Sequence, residues 1–327
     1  MSEFVPLDGW GADASPFHAG ELLAQERAGV RSVAEASGRR GIRRFMPTQH
    51  REFFTAQPFI VLGGVDAHGQ PWATLRAAKP GFIASPDEKT LRIDGGELAG
   101  DPLAGHWRDG ALLGALGIEP RTRRRNRVNG IVRPAQRGSL QIEVMQSFGN
   151  CPKYIQSRTP VFVERDAAGQ RAPAEIATRL SDADRALLAR ADTFFIASAN
   201  LSDAAQLARG VDVSHRGGAP GFVRVDDANT LTTPDYSGNR FFNTIGNLVH
   251  DPRAGLLFID FASGDLLYLA VWAEIVWDGD ELAAFAGAQR LVRFHVSEVR
   301  RSRGVLPFEW SEAELAPQFQ PKPRASA

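Results

Sequence analysis

Pro80-Gly81-Phe82-Ile83 recurs 140 residues later as Pro220-Gly221-Phe222-Val223. The match continues without a gap, Asp87 against Asp227 and Thr90-Leu91 against Thr230-Leu231. An apolar run precedes each copy, Phe59 to Leu62 and Phe194 to Ala197. Apolar runs also follow in the same order: Ala111 to Leu113 and Gly255 to Leu257, then Val128 to Val132 and Val271 to Val276. Leu140 to Val144 and Leu291 to Val296 close the two series. A period this long exceeds the roughly 20–50 residues of stacked repeats, so it predicts two whole domains. The expected division is an N-terminal helical extension over 1–45, a first copy over 46–157 and a second over 180–327. The Pro-, Gly- and charge-rich stretch 157–180 links them.

The recurring runs are short, rich in Val, Ile, Phe and Leu, and separated by turns such as Asp66 to Gly69 and Asp226 to Asn229, which predicts strands. Helices are expected over Ser15 to Ala36, with Ser15 as N-cap and Pro16 in the first turn, and over Pro47 to Ala56. Two more are expected, Ser181 to Arg190 behind a serine cap, and Phe241 to Val249 with Phe242, Ile245 and Leu248 on one face. The fold class is therefore mainly β with short helices (α+β). A helix plugging one opening of each small antiparallel sheet suggests a closed or split barrel.

Lys and Arg together number 38, as do Asp and Glu, so no basic surplus favours nucleic acid or an anionic membrane. A single cysteine, Cys151, excludes an internal disulfide. No Cys or His partners stand at metal-ligand spacing around it. The start MSEFVPLDGWGADAS lacks a signal-peptide pattern, and no apolar run approaches the roughly 18 residues of a membrane span. A cytoplasmic location is the expectation.

One turn carries chemistry. Pro234-Asp235-Tyr236-Ser237-Gly238-Asn239-Arg240 leads into the helix expected at Phe241. A helix start offers unpaired N–H groups and the positive end of a dipole. Gly238 lets backbone approach closely, and Arg240 can fork two hydrogen bonds onto a phosphate. Arg216, in Ser214-His215-Arg216-Gly217, is expected to reach the same point from a neighbouring strand. The first copy has GELAGDPLAGHW at the matching place, without an arginine, which predicts one cofactor per chain.

The order Ser-x-Arg-Gly, Pro-Gly-Phe hairpin, Tyr-Ser-Gly-Asn-Arg, then an apolar strand after His250-Asp251-Pro252 resembles the pyridoxamine 5′-phosphate oxidase-like FMN-binding split barrels, especially the long members with two barrel copies. The resemblance covers 190 to about 300 well and 45–155 faintly. It implies two tandem split β-barrel copies of the FMN-binding type, with Arg216, Ser237 and Arg240 on the FMN phosphate. Ser214, Gly217, Asp235, Tyr236, Gly238, Asn239 and Asn243 complete the expected cofactor set in the second copy. The turn Gly149-Asn150-Cys151-Pro152-Lys153-Tyr154 matches the long members, which adds Asn150, Cys151 and Lys153 from the first copy. The C-terminal Arg-Leu-Ala-Pro-like segment of vitamin B6 oxidases is missing, so that reaction is not expected.

The run Thr122 to Gly130 reads either as an exposed hairpin loop or as a pocket wall bearing Arg127 and Asn129 on one face. No triad or carboxylate pair is visible, and a flavin enzyme needs none because the cofactor carries the electrons. The expected activity is an oxidoreductase moving electrons between NAD(P)H and oxygen or a small acceptor. Without a G-x-G-x-x-G turn, the nicotinamide would bind transiently over the flavin. A non-catalytic flavin carrier and a haem protein using His215, His250 or His295 are the alternatives. A homodimer is expected, because Phe222 and Phe241 would otherwise form an exposed apolar patch.

Overall fold

The computed structural model describes residues 9–136, 138–164 and 173–320; the middle of the expected linker, 165–172, lies outside the described residues. The architecture is mostly β. In the first half, β1 (Phe59–Val65), β2 (Pro71–Ala77), β3 (Ile83–Ala84), β4 (Thr90–Ile93), β5 (Leu112–Glu119), β6 (Arg124–Arg133) and β7 (Leu140–Gly149) form one sheet in the order β2-β1-β5-β6-β7-β4-β3. Short strands β8 (Pro160–Phe162) and β9 (Glu175–Ala177) follow. In the second half, β10 (Thr193–Asn200), β11 (Gly210–Gly217), β12 (Arg224–Val225), β13 (Thr230–Tyr236), β14 (Arg253–Ile259), β15 (Leu266–Val276) and β16 (Ala288–Ser302) run β11-β10-β14-β15-β16-β13-β12. Each strand of one series holds the place of its counterpart in the other. Register irregularities also recur, at Asn129/Gly130 in β6 and Ala270/Val271 in β15. β17 (Phe308–Trp310) pairs with β8, so the chain's end returns to the first half.

The two halves meet through reciprocal contacts. Gly114 of β5 lies against β11, where an added Cβ would stand 2.5 Å from the Val211 carbonyl oxygen. Gly255 of β14 lies against β2, where a Cβ would stand 2.4 Å from the Pro71 oxygen. Around these contacts one apolar cluster spans both halves, with Val61, Trp72 and Leu116 against Phe195, Val213 and Leu257. Burying such side chains contributes about 1.5–3 kcal/mol each.

Among the described residues five α-helices cover the sheets: α1 (Ala19–Arg27), α2 (Arg31–Gly41), α3 (Thr48–Thr55), α4 (Asp182–Arg190) and α5 (Asn243–His250). Ser181 caps α4 as expected, in a reciprocal box with Asp184. The single helix expected over Ser15 to Ala36 is two. Ser15 does not cap it; its hydroxyl donates to Glu35 Oε2 at 2.7 Å, and His18 is the cap. Gly29 at φ +67° turns the chain between α1 and α2. The last helix also begins later than expected, because Arg240 (φ 68°) and Phe242 (φ 63°) are left-handed and α5 starts at Asn243.

Phe222 and Phe241 form no exposed patch. Each is 7% exposed, Phe222 packed on Phe194 and Phe241 on Phe17 and Phe148. The chain covers them itself, which removes the reason for expecting a homodimer. The Arg-rich run is not an exposed loop either, since residues 124–130 lie within β6. Among the described residues no helix is long and apolar enough to cross a membrane.

Helix α1 crosses α5 backbone to backbone: a Cβ on Gly246 would stand 2.5 Å from Glu21 Cα. Overpacking of this kind costs about 1–3 kcal/mol. Gly246→Ala is therefore expected to lower unfolding stability by that amount despite alanine's better helix propensity, as urea denaturation would show.

Candidate functional site

Arg216 and the turn after β13 are not on neighbouring strands, as expected from sequence. β11 is one margin of the second sheet and β13 lies next to the other. The sheet curls until the margins meet, and the Arg216 guanidinium forms an ion pair with Asp235 across the gap. Arg290 Nη1 reaches the other oxygen of Asp235 at 2.5 Å. A cleft opens there.

The cleft is electropositive. Arg125, Arg127, Arg216, Arg240 and Arg290 line it, and Asp235 is the one lining carboxylate among the described residues. Behind the wall, Arg127 Nη1 donates to Asp212 Oδ1 at 2.8 Å, and Asn129 Nδ2 and Asn247 Nδ2 donate to the same carboxylate at 2.9 and 3.0 Å. Arg127 Nη1 also donates to Asn243 Oδ1 at 3.1 Å, and Nη2 to the Ser214 hydroxyl. The Nε–H groups of Arg127 and Arg290 are buried without a protein acceptor.

Helix α5 starts on this cleft. No side chain caps it, and Gly246 N is bonded back to Phe242 O at 2.6 Å. The N–H groups of Asn243, Thr244 and Ile245 are the orphan donors that a helix start leaves, and all three residues line the cleft. Arg240 stands beside them, exposed, with no hydrogen bond or ion pair among the described residues. Orphan amides, a dipole end and a spare guanidinium together suit a phosphate monoester.

Most of the expected residues come together here: Ser214, Arg216, Asp235, Tyr236, Gly238, Asn239, Arg240, Asn243, Asn150 and Cys151 line the cleft. Lys153 and Gly217 line a second arm that adjoins it. Three of the set have partners within the chain. Asp235 is a counter-ion shared by Arg216 and Arg290. Asn239 Oδ1 accepts from Phe241 N at 3.1 Å and so stiffens the left-handed turn. Ser237 does not line the cleft, and its carbonyl accepts from the Tyr154 hydroxyl at 3.0 Å.

Sequence reasoning missed Arg125 and Arg290. Arg125 binds the carbonyls of Cys151 (2.8 Å), His215 (3.2 Å) and Lys153 (3.5 Å), fastening the 150–154 turn to β11. Its Nη1 also donates to His215 Nδ1 at 3.1 Å, so the ring proton is on Nε2. Burial, then Arg125 and Arg216, hold His215 well below 6.5, which keeps the ring neutral. Arg290 stands opposite Asp235 only through the register of β13 on β16, and no local pattern marks that pairing. Of the other histidines weighed as haem ligands, His250 is exposed at the end of α5 and His295 stands 3.8 Å from Glu274. No group of three metal-binding side chains occurs among the described residues.

No family model matches the chain, and no curated protein matches it. Among solved structures, it is similar to a proposed pyridoxamine 5′-phosphate oxidase from Lactobacillus delbrueckii at 18% identity, covering 37% of this chain and 93% of that one, with a TM-score of 0.29. An FMN-binding protein from Syntrophomonas wolfei aligns at 13% identity over 36% of this chain and 88% of its own, TM-score 0.26. An FAD-binding protein from Mycobacterium smegmatis aligns at 15% over 39% and 99%, TM-score 0.27. Likeness at this level decides neither the fold nor the ligand.

The N-terminal helix holds the site from behind. Glu21 is buried, accepts from Asn243 Nδ2 at 2.5 Å and from His18 N at 2.9 Å, and is pushed up to about 8 by burial and by Asp212. A carboxyl raised in the fold favours the protonated state, so its contribution to stability falls as pH rises from its ordinary 4.5 to about 8, then levels off. Glu21→Gln removes that slope. The urea midpoint of the variant relative to the parent is expected to improve steadily from pH 5 to 8. A difference constant with pH would contradict the assignment.

Proposed function

We propose that the chain is an FMN-binding flavoprotein and works as an oxidoreductase, taking electrons from NAD(P)H and passing them to oxygen or a small acceptor. The observation that carries this reading is the uncapped start of α5, facing the cleft beside the unpaired Arg240. Flavin, when bound, supplies the hydride and electron chemistry. The chain's residues supply the grip: the amides of 243–245, Arg240 and Arg216 for the phosphate, and β11 and the 150–151 turn as walls for the ring. In this reading, 46–157 and 180–327 are two copies of one split-barrel unit behind the extension 1–45. They pair within one chain and hold one cofactor.

The first half's counterpart of the cleft supports a single site. The offset that aligns the two Pro-Gly-Phe turns sets Thr74 against Ser214 and Arg76 against Arg216. Arg76 is 6% exposed, donates to the Gly95 carbonyl at 3.2 Å and stands 3.7 Å from Glu97.

Charge-assisted hydrogen bonds contribute about 1.5–3 kcal/mol each. Arg240→Ala is expected to weaken FMN binding about ten- to hundredfold with the fold intact, because the side chain is exposed and unpaired. Flavin absorbance of the purified variants and their circular dichroism test this. Unchanged flavin occupancy in an Arg216→Ala/Arg240→Ala double variant would overturn it. A stopped-flow reduction rate near zero with both NADH and NADPH would instead favour a flavin carrier.

A further inference from the structure

The second arm shares Arg125, Cys151, His215, Arg216, Tyr236 and Gly238 with the main cleft, so the two adjoin. The cations along them differ in what they have to spare. Arg216 and Arg290 are paired with Asp235, Arg127 with Asp212, and Arg125 with backbone carbonyls. Arg240 and Lys153 have no acidic partner among the described residues. Arg240 stands at the helix start. Lys153 lines only the other arm, so the two spare charges mark different places.

Lys153 is also held in place. Its carbonyl is one of those that Arg125 binds, so the side chain leaves from a fixed backbone. From the same turn, Asn150 has a buried amide nitrogen with no protein acceptor, but it lines the main cleft. Lys153 is the spare donor that the turn gives to the arm. The arm's wall is aromatic: Tyr154 and Tyr236 lie 5.0 Å apart between ring centres, and Phe319 packs on both at 5.8 and 5.7 Å. Such a wall favours a flat ring.

We infer that this arm is the substrate site, that its ligand is a ring-bearing organic anion, and that Lys153 selects it by binding the anionic group. The inference rests on the flavin reading for what occupies the main cleft. Benzoate and its neutral analogue benzamide are suitable probes, titrated into the FMN-loaded chain and followed by the flavin spectrum and by calorimetry. Benzoate is expected to bind at least about tenfold more tightly than benzamide, and Lys153→Met to abolish that preference while Lys153→Arg keeps most of it. Flavin content, measured on the same samples first, separates the two claims. A chain that never holds flavin fails the cofactor reading, yet calorimetry still tests the Lys153-dependent preference. Equal affinity for the two probes, or a preference untouched by Lys153→Met, would overturn the inference. So would loss of flavin from the Lys153→Met chain, which would return Lys153 to the cofactor's grip.

Discussion

The buried pair between Arg127 and Asp212 ties the structure together. Arg127 comes from β6 in the first half and Asp212 from β11 in the second, with side chains 4% and 10% exposed. Breaking such a pair by removing one partner costs about 3–5 kcal/mol, because the other charge stays buried and unmatched. The same carboxylate takes Asn247 from α5, and the same guanidinium takes Asn243 at the start of that helix. One ion pair thus sets the spacing of the two sheets and the aim of the helix whose free amides face the cleft. Helix α1 reinforces it from behind, through Glu21 on Asn243, His18 on Asn247 at 2.8 Å, and Gln25 on the Phe241 carbonyl at 3.0 Å.

The strands that hold this frame were legible in sequence because they are short runs rich in Val, Ile, Leu and Phe between turns. The expected runs from Phe59, Leu140, Phe194 and Leu291 all fall inside strands. Local chemistry was legible too: the serine cap at Ser181 and the turns at Asp66 and Asp226 depend on a few adjacent residues. What depends on distance was not. Phe222 and Phe241 look exposed until the curl of the sheet and the N-terminal helices cover them. Nor does any local pattern show that β16 brings Arg290 opposite Asp235. The left-handed Arg240 and Phe242 had no signal at all, since neither is a residue type that favours that conformation.

The Arg-rich stretch shows how charge is divided between frame and function. Arg125 fastens a loop and Arg127 fastens a helix, both with their donors turned inward. Arg123 reaches the C-terminal segment at Glu314. A run that reads as a solvated face is instead a set of ties between halves. The cations without an acidic partner among the described residues lie elsewhere, Arg240 lining the main cleft and Lys153 the arm beside it.

The proposed grip of the α5 start and its arginines on a flavin's phosphate separates FMN from riboflavin, which differ only in that phosphate. Fluorescence titration of the flavin-stripped chain should give FMN an affinity at least about a hundredfold higher, as two or more charge-assisted bonds imply. Equal affinities for the two flavins would contradict it.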